Sequence, residues 1–245
     1  MRIAQLSDVH VGASRYDQDL LRTAIAEINA ADPGLVVVAG DLTDDGYPDQ
    51  YPTAKEELAA LACPRIVRVP GNHDARNVGY LRFEETFGAR DSRLRLDCDG
   101  VGIALVAVDS SKPDLDEGEI GREHYGWIEE VRRRRRPAHL RLPPPPHADP
   151  GTGRERNQVL DAGDVLSLLS RCGVDLVLSG HRHVPYVWPV AGLLLVHSGT
   201  VSTLRTRGFP HPAYNLAEVA DARRVDPFVR AQRDISLAED APAME

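Results

Sequence analysis

Cysteine is scarce in this chain: Cys63, Cys98 and Cys172 are the only three in 245 residues. No two stand at metal-ligand spacing, and an odd count argues against a disulfide framework. Each reads as a small buried or half-buried hydrophobe. Long apolar runs are missing as well. No segment approaches the ~20 residues of a membrane span, and MRIAQLSDVH holds no signal-peptide core. Basic charge is not in excess: the net charge is −8, which disfavours a broad face for coating nucleic acid. Aromatic residues make up 5% of the chain, and no aromatic-basic stacking array is visible. These absences lead us to expect a cytoplasmic protein with no membrane or nucleic-acid partner.

What is present is an alternation. Hydrophobic residues make up 42% of the chain, enough for one sizeable core. RIAQL, LVVVA, RIVRV, GIALVAV and VDLVLS read as strands. DLLRTAIAEINAA, EELAALA, GYLRFEETF, GREHYGWIEEVRRR and DAGDVLSLLSRCG read as helices between them. YVWPV, LLLVHSGTVS and YNLAEVA then follow as strands without helices. The pattern predicts βαβ units, a largely parallel sheet and an antiparallel β-rich end. We expect one domain over residues 1–232 and a loose tail over 233–245.

Four polar clusters each follow an apolar strand. Asp8 and His10 follow the first, Asp41 the second, Asn72, His73 and Asp74 the third, and His181 and His183 follow VDLVLSG. Parallel strands deliver their carboxyl ends to one rim, so these clusters are expected to converge. Singly each is weak: an Asp after Gly is usually a turn residue, and Asp44 and Asp45 beside Gly46 are read as such. Together they form a donor set of Asp and Asn oxygen and imidazole nitrogen without thiolate, suited to manganese, iron(II) or zinc. Six candidate ligands suit two ions about 3.5–4 Å apart, an arrangement that clamps an in-line phosphoryl displacement. Gly40, Gly71 and Gly180 precede ligands where a side chain would obstruct the turn.

DVH, GDLTD, GNHD and GHRH, in this order, resemble the calcineurin-like metallophosphoesterase superfamily, with the closest look to its bacterial cyclic-nucleotide phosphodiesterase-like branch. The resemblance covers Arg2 to Val219. It implies an α/β fold, a four-layer α/β/β/α sandwich with two metals at one rim. It implies that Asp8, His10 and His183 hold one ion, that Asp41 bridges, and that Asn72 and His181 hold the other. His73 would be the general acid facing the leaving oxygen, with Asp74 orienting it, and metal-bound hydroxide would attack phosphorus. The substrate would be a small phosphorylated molecule, cyclic nucleotides among the candidates. Arg154, Arg156 and His197 lie where they could meet it, though Arg154 and Arg156 read equally as a solvated loop in which Asn157 caps the next helix.

One motif departs from the family. Its members carry an apolar strand ending in a His-rich run between GNHD and GHxH, and this His completes the second ion site. The corresponding place here is LRLPPPP, inside RRRRRPAHLRLPPPPHADP, residues 132–150. Three readings compete. The segment is a genuine polyproline loop in which His147 or His139 replaces the ligand. The chain is a catalytically weak descendant that binds a phosphorylated ligand or a partner. Or the segment is a compensated frameshift, because CCA proline codons at Pro143 to Pro145 read one base later give His-His-His. The last is favoured. Unless His147 or His139 supplies it, the chain is expected to lack one ligand of the second ion, and to show reduced activity and a disturbed strand.

Overall fold

The computed structural model describes residues 1–98, 101–132, 138–141, 159–207, 211–219 and 233–234. The first sheet is built from β1 (Arg2–Leu6), β2 (Leu35–Ala39), β3 (Ile66–Val69), β10 (Ala213–Glu218) and β11 (Arg233–Asp234), in the order β11-β10-β1-β2-β3. The second holds β4 (Ser92–Cys98), β5 (Val101–Ala107), β6 (Ala138–Arg141), β7 (Leu176–Ser179), β8 (Tyr186–Val190) and β9 (Leu193–His197), in the order β4-β5-β6-β7-β9-β8. β1, β2 and β3 run parallel, as do β5, β6, β7 and β9. The antiparallel strands β10, β4 and β8 flank these blocks. Among the described residues five α-helices complete the fold: α1 (Gln18–Ala30), α2 (Gln50–Leu58), α3 (Gly79–Phe87), α4 (Tyr125–Arg132) and α5 (Ala162–Cys172).

Period-two alternation sorts the strands into layers. Ile3, Leu35, Val37, Val67 and Val69 face Leu105, Leu176, Leu178 and Val196, which joins sheet to sheet. The alternate residues Ala4, Leu6, Val36 and Val38 pack on Leu20, Leu21, Ile25 and Phe83 of the first helical layer. Val106, Val177 and Leu195 pack likewise on Ile128, Val165 and Leu169. The result is the expected α/β/β/α sandwich. β2 is buried at all five positions because both of its faces are covered.

Three strands depart from expectation: β4 and β11 were not foreseen, and β6 was expected only as a disturbed strand. β4 reads SRLRLDC, and its charged positions hide an edge strand whose Leu96 is buried against the sheet core. β6 falls at Ala138–Arg141, upstream of the prolines, and pairs in parallel with both β5 and β7. The sheet is therefore continuous where a disturbed strand was expected. Proline donates no ladder bond, so pairing can end before Pro143 without loss of the strand. Residues 142–158 lie outside the described residues. α5 begins after Asp161, not at Asn157, and α2 begins at Gln50, ahead of the expected EELAALA. β11 extends the first sheet at the two residues with which the expected tail begins. No described helix is long and apolar enough to cross a membrane.

Candidate metal centre

β1, β2, β3 and β7 deliver their carboxyl ends to the same rim. The loop after β1 is stitched to the loop after β2, with Asp8 N donating to Gly40 O at 3.1 Å and His10 N to Asp41 O at 2.9 Å. The loop after β7 joins them: the His181 N–H donates to both Asp8 carboxylate oxygens, at 2.9 and 3.0 Å. Gly180 allows this approach, since a Cβ there would overlap Ser7 Oγ and come within 2.6 Å of Asp8 Oδ2. A Cβ at Gly71 would likewise collide with Asp41.

The backbone is strained where the candidate ligands sit. Asp8, His10, Asp41, His181 and His183 all have positive φ, between 50° and 83°. This left-handed conformation costs a non-glycine residue about 1–2 kcal/mol. Such strain persists only where surrounding structure over-determines it, and it clusters at functional sites.

The first ligand set is compact. His183 Nε2 lies 2.9 Å from His10 Nε2 and 3.4 Å from Asp8 Oδ1, and His10 Nε2 lies 3.9 Å from Asp8 Oδ1. The far nitrogens each face an oxygen, though only that of His183 is hydrogen-bonded. His183 Nδ1 donates to the Arg205 carbonyl at 2.6 Å, and His10 Nδ1 lies 3.2 Å from Asp44 Oδ1. Both leave Nε2 aimed inward, as a metal ligand requires. In the second set, His181 Nδ1 and Asn72 Oδ1 meet at 2.9 Å, and His181 Nε2 is buried with no hydrogen-bond partner. Asp41 stands between the sets. Its carboxylate lies 4.0 Å from His10 Nε2, accepts from His73 N at 3.1 Å, and lines a small recess with Asn72 and His181.

Electrostatics favour cations here. Burial, reinforced by the Asp41 charge, pushes the Asp8 carboxyl well above the usual range. Burial also raises Asp41, but His73, His10 and His181 outweigh it and bring that carboxyl to about 2. Burial lowers His181 to about 4 and holds His183 well below the usual imidazole range. Neutral imidazole is the form that binds metal. Two buried carboxylates, neutral imidazoles and an unpartnered buried nitrogen fit divalent ions, and Asp8, His10 and His183 form a cluster of metal-holding geometry.

Other expected residues fare differently. His73 sits beside His10 and Asp41, its ring 4.5 Å from that of His10, and the three form a second cluster of metal-holding geometry. Asp74 does not orient it. The Asp74 carboxylate accepts from the N–H groups of Leu42, Thr43 and Gly71 and from the Thr43 hydroxyl, which clamps the β2 and β3 loops together. Burial raises this carboxyl to about 6. The orienting group is Asp44, whose carbonyl accepts from His73 Nδ1 and whose carboxylate lies 3.6 Å from the same nitrogen. Asp44 was read as a turn residue. Its spacing three residues past Asp41 was the only available signal. Arg76 and Asp116 were also missed. Arg76 Nη2 donates to Asp116 Oδ1 at 2.9 Å, and Asn72 Nδ2 reaches the same oxygen at 3.3 Å. Asp116 belongs to the loop after β5 and carries no motif. His197 is 1% exposed, inside the sheet, so it does not line an open path for substrate. His147, Arg154 and Arg156 lie outside the described residues.

Comparison with known proteins agrees with this geometry. The calcineurin-like phosphoesterase family profile matches residues 1–185. A Synechococcus protein named "Probable cyclic nucleotide phosphodiesterase" is 27% identical over 198 residues, covering 76% of this chain and 75% of that protein. An Arcobacter nitrofigilis protein named "Probable glycerophosphodiester phosphodiesterase GpdQ" is 31% identical over 139 residues, 53% of this chain and 50% of that relative. A dimetal phosphatase from Danio rerio superposes with a TM-score of 0.69 at 15% identity, covering 89% of this chain and 92% of that one. At that identity the likeness is one of fold.

Proposed function

The chain belongs to the calcineurin-like phosphoesterase family, a hydrolase superfamily, and from that premise we propose that it is a metal-dependent phosphodiesterase acting on a small phosphorylated substrate. The observation that carries this reading is the convergence of four strand ends on one strained, carboxylate- and imidazole-lined rim. Asp8, His10 and His183 would hold one divalent ion, Asp41 would bridge, and Asn72 and His181 would hold the second. Manganese, iron and zinc all suit this donor set. Bound ions supply positive charge to the transferring phosphoryl group and an activated water.

The chain's own residues do the rest. His73 Nδ1 is engaged with the Asp44 carbonyl, which leaves Nε2 as the free ring nitrogen. In the doubly protonated ring, Nε2–H would pass its proton to the leaving oxygen and leave the neutral imidazole bonded to Asp44. Asp44 orients both His10 and His73 and so links metal binding to proton transfer. Asp74 keeps the two loops in register.

A weaker second ion accompanies this reading. The sequence beyond β6 is LPPPP, with no histidine where the family's ligand stands. Activity below that of a complete two-metal site follows. Should the site prove too weak for turnover, the chain would act by binding a phosphorylated ligand. Hydrolysis of bis(p-nitrophenyl) phosphate with added manganese separates the alternatives. Turnover lost in His73→Ala supports the enzyme, and binding without turnover supports the other. Resequencing from the codon of Val131 to that of Gly151 tests the frameshift.

A further inference from the structure

A cavity of about 340 Å³ opens beside the first ligand set, against His10 and His183. Its outer walls are Ser14 and Arg15, from the loop after β1, and Thr203 and Arg205, from the loop after β9. The walls are fixed to each other. Tyr16 bridges to Thr203, and Asp17 N donates to Ser202 O at 2.7 Å. Thr203 is buried, and its hydroxyl oxygen accepts from Arg205 N at 3.2 Å. The volume is at the small end for a ligand site.

The lining chemistry is one-sided. Among the described residues no Phe, Tyr or Trp lines the cavity, and its described walls are polar and cationic. Arg15 and Arg205 are exposed, and no carboxylate pairs with either among the described residues. Asp44, the one acidic residue in the lining among the described residues, faces His10 Nδ1 at 3.2 Å. A third cation lies close by, since Arg207 has both Arg182 and Arg205 as cationic neighbours. Unpaired guanidinium groups at a preformed cavity match carboxylate or phosphate oxygens.

We propose that this cavity receives the part of the substrate remote from the scissile phosphate, and that this part is a compact second anionic group bound by Arg15 and Arg205. The inference rests on the phosphodiesterase reading and narrows its substrate class, from phosphodiesters in general to those bearing a further carboxylate or phosphate.

The test is calorimetric titration of the manganese-loaded full chain with three phosphonates. Propylphosphonate carries no second anion, 3-phosphonopropionate adds a carboxylate, and 1,3-propanediphosphonate adds a second phosphonate. At least one of the latter two should bind about tenfold tighter than propylphosphonate, and which one identifies the anion. In Arg15→Ala/Arg205→Ala the ratio should collapse to within about twofold, and in the double Lys variant part of it should return. The Arg205 carbonyl that anchors His183 survives these substitutions, and a ratio taken within one variant cancels differences in folding or metal loading. Equal binding of all three ligands, or a preference that survives the double Ala variant, overturns the inference. Hydrolysis of bis(p-nitrophenyl) phosphate is measured alongside. If that ester turns over and no phosphonate binds, this inference fails alone. If the ester is untouched, the enzymatic reading fails and takes this one with it.

Discussion

The two ligand sets differ in what stands behind them. In the first set His183 is anchored at its far nitrogen by the Arg205 carbonyl, and the Asp44 carboxylate stands 3.2 Å from that of His10. Asp8 accepts two bonds from one backbone N–H. In the second set Asn72 is steadied by Asp116, which is 46% exposed. The first candidate set is thus backed by buried backbone contacts, whereas the second leans on a surface loop. Outer contacts decide how well a ligand is oriented, so completeness of the outer layer predicts which ion is held more tightly.

Four experiments break or sharpen this contrast. The largest effect should come from His73→Ala, which belongs to neither set. Turnover should fall about 10²–10⁴-fold with metal content unchanged, as checked by kinetics beside elemental analysis. Loss of metal together with activity would make His73 part of a ligand set.

The second experiment concerns pH and the metal-free chain. His181 is held at about 4 in the folded state against an unfolded value of 6.5. Between these values the unfolded state binds more protons, so stability falls as pH drops from 6.5 towards 4. The full loss is on the order of 3 kcal/mol. Thermal unfolding across this range should show the slope, and His181→Asn should flatten it.

The third and fourth experiments form a pair. Asp44→Ala should weaken the first ion about 10–100-fold, because His10 loses the carboxylate facing its far nitrogen. Asp116→Ala should weaken only the second ion, by less than about tenfold, because its bonds are half-exposed and screened. Metal titration with two resolved binding steps checks both. If Asp116→Ala weakened the first ion instead, the division into two sets would be wrong.

The clusters after β1, β2, β3 and β7 were legible because each follows a buried apolar run, and parallel strands share a carboxyl edge. The sandwich was legible through the family motifs and the alternation of strand and helix. β4 escaped because RLRLD reads as a charged surface until Leu96 is seen against the core. β6 escaped because the neighbouring prolines argued against a strand that lies just upstream of them. Asp74 was misassigned for another reason. Adjacency to His73 in sequence implied contact, yet the turn sends the carboxylate back toward Leu42 and Thr43.

The residue types alone gave the candidate donor set, its placement at strand ends and the family. Those properties depend on local pattern: which side chains follow an apolar run, and at what spacing. Only the tertiary structure decided that Asp44 orients His73, that Asp74 clamps two loops, and that Arg15 and Arg205 face one cavity. These are contacts between loops leaving different strands. Their partners are set by how the two sheets pack and by the left-handed turns at the rim, and neither is written in the spacing of any single motif.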